Sequence, residues 1–396
     1  MKILQIVPSI SLVYGGPSQM VRGLSAALAG QGVEVTVLTT DSNGDAGQPP
    51  LDVPLDRPVE QEGYRVRYFR CSPFRRYKFS LQLLRWLSHH SREYDLAHIH
   101  ALFSPVSTAA ATVARSRGLP YILRPLGTLD PADLRKKKRL KQLYAAAWEG
   151  KNIAGAAALH FTSPREAEIS ERFGAKTRDI ILPLGVQLPE LPEVEEARRK
   201  WGVAGETPAL LYMSRLDPKK GLDLLFPALE KLIEEGVEFH FILAGSNAQD
   251  PEYERHIQKA IAASPLSERT QIPGFVSGED KFALVQAADL FVLPSYYENF
   301  GIAVAEAMLS GTAVVISDQV HICSDVTKAK AGWVSDCTIQ GLTDNLRYAI
   351  TNGADRQQRG IRAHDYALQH YSWDAIASQM IQAYEQLLQS QSICRS

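Results

Sequence analysis

Cysteine is scarce: four in 396 residues, at positions 71, 323, 337 and 394, with no Cys-x-x-Cys pair among them. That spacing argues against a disulfide framework and a cysteine zinc site, and favours reduced thiols in a cytosol. Long apolar runs are missing as well. None approaches the roughly 18 residues that cross a bilayer. The opening "MKILQIVPSISLVYGG" is interrupted by Gln5 and Pro8 and ends in no small-residue cleavage site. It reads as a first β-strand rather than a signal peptide. There is no fixed-period repeat and no low-complexity tract. The Gly15-Gly16 pair has no third glycine at the spacing of G-x-G-x-x-G, which counts against a dinucleotide dehydrogenase. No nucleic-acid-binding module is recognisable, so no nucleic-acid partner is expected.

What is present is ordinary for an enzyme and unevenly charged. Hydrophobic residues make up 45% and charged residues 22% of the chain. A chain of this length exceeds one comfortable core, and two domains are expected. Residues 1–185 carry 25 Lys and Arg against 16 Asp and Glu, the remainder 18 against 28. The basic first half favours an anionic partner.

Short apolar strands alternate with helical patterns from the start: "KILQIV", then a helix near 17–31 with Met20, Leu24 and Leu28 on one face, then "VEVTVLTT". After a Pro-rich loop over 41–62 come "YRVRYF", "DLAHIHA", "PYILRP", "AALHFTS" and "DIILPLG". The segment "PLGVQLPELPEV" reads as a linker, with a helix starting near Glu193. The alternation then restarts with "PALLYMS", "EFHFILAG", "RTQIPGF", "ADLFVLPS" and "TAVVISD", and 357–392 reads as helical throughout. This predicts an α/β protein with two doubly wound, Rossmann-like parallel-sheet domains, 1–185 and 186–370, facing a central cleft. A C-terminal helix over 371–396 is free to cross back to the first domain. Ligands in such sheets bind beyond the carboxyl ends of the strands.

Unusual residues collect at those strand ends. After "PALLYMS" comes "RLDPKKG", with Arg215 and Lys220; after "QIPGFV", Ser277 is placed to cap a helix, with Asp280 three residues on. After "ADLFVLPS" comes "YYENFGIAVAEAM", in which Glu298, Asn299, Phe300 and Gly301 lead into a helix carrying Glu306. The first N–H groups of a helix lack internal partners and receive phosphate readily, and Gly301 permits close approach. Arg215 and Lys220 are suited to neutralise a diphosphate. Carboxylates repel phosphate, so Glu298 and Glu306 are better used on sugar hydroxyls. A diphosphate between two sugars describes a nucleotide-sugar. Each residue alone would be an unremarkable surface group; the specificity lies in the set.

"SRLDPKKGLDLL", "GFV" at 274–276 and "ENFGIAVAEAM" resemble the donor-binding motifs of the retaining glycosyltransferases of family 4, which have the GT-B fold. Glu298 and Glu306 match the Glu-x7-Glu motif, and Arg215 and Lys220 its basic pair. The similarity extends over nearly the whole chain. It implies that Arg215 and Lys220 bind the donor diphosphate, Glu298 the donor sugar and Glu306 the ribose. Backbone at Asn299, Phe300, Gly301 and Ile302 would meet phosphate, and Phe275 and Val276 would lie near the base. Gly15 and Gly16 resemble the loop facing donor phosphates and acceptor, with Pro17 suited to a first helical turn. On the acceptor side His100 ends its strand, and Leu126 stands where the family often has a His or Arg, leaving Arg124 as a substitute. Retaining transfer in this fold stabilises a departing diphosphate, so neither a protein nucleophile nor a metal is expected. No Asp-x-Asp triplet of the metal-dependent GT-A type occurs. No cofactor is expected beyond the nucleotide-sugar substrate, UDP- or GDP-linked.

Two stretches hold the positive charge. "RKKKRLK" at 135–141 has six basic residues of seven, and 64–79 mixes six basic residues with six aromatics. Such composition suits an anionic membrane surface, as for a glycosyltransferase with a glycan or lipid-linked acceptor, cytoplasmic and peripheral at the inner face of the membrane. Two alternatives share the site: a nucleotide-sugar 2-epimerase and a non-catalytic nucleotide-sugar-binding subunit.

Overall fold

The structure is a computed structural model, and it describes residues 1–44, 48–73, 77–135, 138–187, 191–203, 205–248 and 250–395. The chain divides into two compact units, Met1–Gly185 with Trp373–Ser396, and Val186–Ser372.

The first unit is built on β1 (Lys2–Ile6), β2 (Glu34–Thr40), β3 (Val59–Gln61), β4 (Tyr64–Phe69), β5 (Leu96–His100), β6 (Tyr121–Arg124), β7 (Ala158–Phe161) and β8 (Asp179–Ile181). Their order is β3-β4-β2-β1-β5-β6-β7-β8, parallel except for β3. That short antiparallel edge strand lies inside what reads in sequence as a Pro-rich loop. Three residues beside a turn carry too little periodicity to be seen. Its helices are α1 (Gly16–Gly30), α2 (Leu81–His90), α3 (Pro105–Arg117), α4 (Pro131–Arg135), α5 (Lys138–Tyr144), α6 (Gly150–Ala154) and α7 (Pro164–Ile169). A π-helical turn, Ala145–Glu149, joins α5 to α6. Strands such as β5, "LAHIH", are buried at every residue, as expected where helices cover both faces of a parallel sheet.

The second unit begins with α8 (Val194–Lys200) and continues β9 (Ala209–Met213), α9 (Leu222–Glu234), β10 (His240–Ala244), α10 (Pro251–Ala262), β11 (Thr270–Gly274), α11 (Gly278–Ala287), β12 (Leu290–Leu293), α12 (Ile302–Leu309), β13 (Ala313–Ser317), α13 (Cys323–Ala329), β14 (Gly332–Ser335), α14 (Ile339–Thr351) and α15 (Gly353–His370). The sheet order is β11-β10-β9-β12-β13-β14, all parallel. From β9 the chain winds outward through β10 and β11, then returns to lay β12 on the other side of β9. Right-handed crossovers therefore place α9 and α10 on one face and α11 and α12 on the other. The β9/β12 boundary is the topological switch point, where the loops diverge and a ligand can lodge. β14, "GWVS", was not among the strands expected; four residues opening on glycine give almost no pattern.

The final helical stretch is broken. α15 ends at His370 and α16 (Trp373–Arg395) starts anew in the first unit. At the break Tyr371 is wholly buried and donates to Asp325 Oδ2 at 2.6 Å, while Val186 N–H donates to Tyr371 O at 2.7 Å and Val186 bridges Ser372. These tertiary bonds hold the backbone out of helix where propensity alone would continue it.

Candidate active site

Loops from three neighbouring strands meet at the C-terminal edge of the second sheet. After β9, Asp217 Oδ1 accepts from Lys219 N–H at 3.0 Å, capping the 3-10 turn Pro218–Lys220. Gly221 follows at φ +74°, and any Cβ there would overlap Pro294 O. Only glycine lets this loop close on the end of β12, where Tyr296 N–H donates to Lys219 O at 2.8 Å. The β10 loop is drawn in by Asn247 Nδ2, which donates to Leu216 O at 2.8 Å.

The contact between these loops is ionic. Lys220 Nζ pairs directly with Glu298 Oε2, the two side chains 16% and 22% exposed. Glu298 is fixed from behind by its backbone: its N–H donates to Gln319 O at 3.1 Å and its carbonyl accepts from His321 N–H at 3.0 Å. The segment following β13 thus supports the site, a role that its sequence, "QVHICSD", does not announce. Beneath the loops Tyr212 is buried. Burial above all, then Tyr253 and the carboxylates of Glu298 and Asp217, push its hydroxyl well up and keep it neutral. Tyr296 donates to Asp223 Oδ2 at 2.8 Å, and its hydroxyl is pushed up to about 12 by burial and that hydrogen bond.

Beyond Glu298 the chain turns through Gly301, at φ +86° and ψ 62°, into α12. Its N-cap, Gly301, has no side chain to cap the helix, and the first N–H groups of a helix are the kind of group that receives an anion. Phe300 is 3% exposed and packs edge-on against Tyr371 at 5.4 Å, which seats the turn. Asn299 and Ile302 lie on either side of Phe300 and Gly301 in this turn. Four residues later in α12, Glu306 Oε1 accepts from Lys281 Nζ at 2.6 Å. Lys281 was not among the expected site residues; a lysine in the first turn of α11 looks like a solvated surface group until α11 and α12 share a face. Arg215 leans on Asp217 at 3.2 Å and remains half exposed. Phe275 is 74% exposed and Val276 half-buried at the end of β11. Ser277 precedes α11 but makes no capping hydrogen bond through its side chain, contrary to expectation.

The first unit holds the other expected residues. Gly15, at φ +66°, caps α1, which begins at Gly16 with Pro17 in its first turn. His100 and Arg124, the residues expected on the acceptor side, lie inside the sheet. His100 is fully buried, its Nε2 2.7 Å from Gln5 Oε1, and Arg124 is 2% exposed, with Nη1 2.5 Å from Met20 Sδ. They belong to a buried polar layer of the sheet, with His98, His160 and Tyr384 of α16. Burial, with Arg124 nearby, drives all three histidines below their ordinary range, His160 to about 3, and lowers Arg124 itself to about 10. Among the described residues, no group of three or more His, Cys, Asp or Glu is arranged to hold a metal ion.

Arg215 and Lys220 follow β9, and Glu298 and the helix carrying Glu306 follow β12, the types of group that a sugar bearing a diphosphate calls for. The chain agrees with that class in comparison with known proteins. Residues 15–185 match the family model described as glycosyl transferase 4-like domain, and 193–365 that of glycosyl transferases group 1. A D-inositol 3-phosphate glycosyltransferase of Xylanimonas cellulosilytica is 27% identical over 94% of this chain and 92% of its own. A phosphatidyl-myo-inositol mannosyltransferase of Mycobacterium tuberculosis is 26% identical over 97% of each chain. The solved structure of Anabaena HepE in complex with UDP-glucose shares the fold, with a TM-score of 0.73 at 20% identity, covering 98% of this chain and 100% of that one. The chain belongs to the group 1, family-4-like glycosyltransferases, retaining enzymes of the GT-B fold. It is a hexosyltransferase drawing its sugar from a nucleotide-sugar donor.

Proposed function

We propose that the enzyme transfers a hexose from a UDP- or GDP-linked donor to a glycan or lipid-linked acceptor in glycoconjugate or polysaccharide synthesis. The observation that carries the reading is the pairing of Lys220 with Glu298 beside the uncapped start of α12. In this reading the diphosphate lies on the N–H groups of residues 299–302, with Arg215 and Lys220 as counter-charges. Glu298 accepts from the donor sugar, Glu306 from the ribose, and the base lies beside Phe275 and Val276. The bond from the anomeric carbon to the β-phosphate oxygen breaks, and the acceptor oxygen bonds to the same face of that carbon. The acceptor's proton passes to the departing phosphate. The protein contributes charge stabilisation and positioning. Calorimetry against UDP-, GDP- and ADP-sugars, followed by acceptor trials with the best donor, tests this. Binding of none of them would end it. Rapid donor conversion without acceptor would instead favour the nucleotide-sugar 2-epimerase.

A peripheral membrane position has its own support in α5 and the π-turn. Leu140, Leu143 and Trp148 are 62%, 70% and 53% exposed, next to the exposed Arg135 and Arg139 and to Lys141. Apolar residues bracketed by cations suit an anionic lipid surface at the inner leaflet. No helix among the described residues is long and apolar enough to cross a membrane. The 64–79 stretch gives less. Tyr64, Tyr68 and Phe69 are core residues of β4, and Arg65 pairs with Glu34 and Glu60. Phe74, Arg75 and Arg76, like Lys136 and Lys137 of the other stretch, lie outside the described residues. Flotation with anionic liposomes should show salt-sensitive binding that Leu143→Asp abolishes; none at low salt refutes it.

A further inference from the structure

We infer that Lys281 is a positioning residue for the nucleotide's ribose, acting through Glu306. This rests on the proposed role of Glu306 as the acceptor for ribose hydroxyls.

A carboxylate in the first turns of a helix has free rotation about its last bonds unless something holds it. Here Lys281 Nζ holds Oε1 at 2.6 Å, and both side chains are largely covered, 21% and 12% exposed. The pairing depends on the topology. The crossovers β11→β12 and β12→β13 run in one direction across the sheet, so α11 and α12 pack on the same face. Residues 25 apart in sequence then meet at the ligand-facing edge. Lys281 Nζ also lies 4.3 Å from the centre of the Phe282 ring, a second contact that restricts the ammonium. With one oxygen engaged, the carboxylate plane is set and Oε2 is the oxygen offered to a hydroxyl. A lysine at this place therefore does what an apolar residue could not: it fixes the direction in which Glu306 accepts.

The test compares UDP with 2′,3′-dideoxy-UDP by calorimetry, or the GDP pair if the base screen prefers guanosine. Wild type should bind the ribo form more tightly. Lys281→Met should raise Kd for the ribo form about tenfold, the loss of one charge-assisted hydrogen bond, and leave the dideoxy form unchanged. In turnover KM for the donor should rise with kcat retained, and Lys281→Arg should recover most of the loss. Equal weakening of both nucleotides, or none, would overturn the role of Lys281. Glu306→Gln separates the two levels. If it leaves the ribose preference intact, the assignment of Glu306 fails; if it removes that preference while Lys281→Met does not, only Lys281 is misassigned.

Discussion

Lys220 and Glu298 are 78 residues apart in sequence and in direct ionic contact across the β9/β12 switch point. The pair joins the cation suited to a diphosphate to the carboxylate suited to a sugar. Glu298→Gln keeps the shape and loses the charge. Nucleotide affinity should stay within a factor of a few, and kcat should fall by about 10²–10³, the range seen when one transition-state contact is removed. Calorimetry and initial rates on one preparation check both halves.

Arg215 reaches the same loop from a more exposed position and leans only on Asp217. Arg215→Ala should weaken binding of the nucleoside diphosphate itself, about tenfold, the equivalent of one charge-assisted hydrogen bond. The effect should shrink with added salt because the group is half in solvent. Unchanged affinity at low salt contradicts the role.

Gly221 is required twice, for its left-handed φ and for the closeness of Pro294 O. Gly221→Ala should cost on the order of 3 kcal/mol or more, strain plus separation of the two loops. Gly236→Ala is the control, with φ +76° and open space around its Cβ, and should cost about 1 kcal/mol. Thermal denaturation ranks them, and only Gly221→Ala should also lose nucleotide binding.

The buried histidines make stability pH-dependent. His160 Nε2 lies 3.0 Å from Leu182 O and must donate to it, so Nδ1 accepts from His98 Nε2 at 3.2 Å. His98 Nδ1 then accepts from the Tyr384 hydroxyl at 2.8 Å, and Gln5 Nε2 donates to that oxygen at 3.3 Å. The chain has one proton polarity and no place for an added proton. With His160 lowered to about 3 in the folded state, the unfolded chain binds more protons between there and about 6.5. Stability is therefore full above about pH 6.5 and falls as the pH drops, by up to about 1.4 kcal/mol per pH unit for each histidine. Urea titrations at pH 8, 6.5 and 5 should show the decline, and His160→Phe should make it shallower, with His98 and His100 still contributing. Tyr384→Phe removes the hydroxyl from the chain and should cost about 1–3 kcal/mol.

Much of this was legible in the residues. Strand–helix alternation, the restart after residue 190 and the apolar runs "ALLYM" and "LFVL" come from local pattern, and local pattern is what parallel sheets impose. Glu298, Glu306, Arg215 and Lys220 stand out because charged groups at successive strand ends have no structural use there. β3 escaped because its "VEQ" lies within a Pro-rich stretch without an apolar run, and β14 because its "GWVS" opens on glycine and is only half apolar. The burial of His100 and Arg124 was not legible, because a strand-end position names an edge of the sheet and not what covers it. Tyr384, far along the chain, bonds to His98 and Gln5 in the same buried layer.

By itself the sequence determined the class of fold and the chemical types at the candidate site, since both depend on neighbours within a few positions. Tertiary structure decided the partners: Lys220 for Glu298, Lys281 for Glu306, and a buried hydrogen-bonded layer for the histidines. Those choices arise from crossover direction and sheet order, which bring distant segments to one face and leave no trace in local spacing.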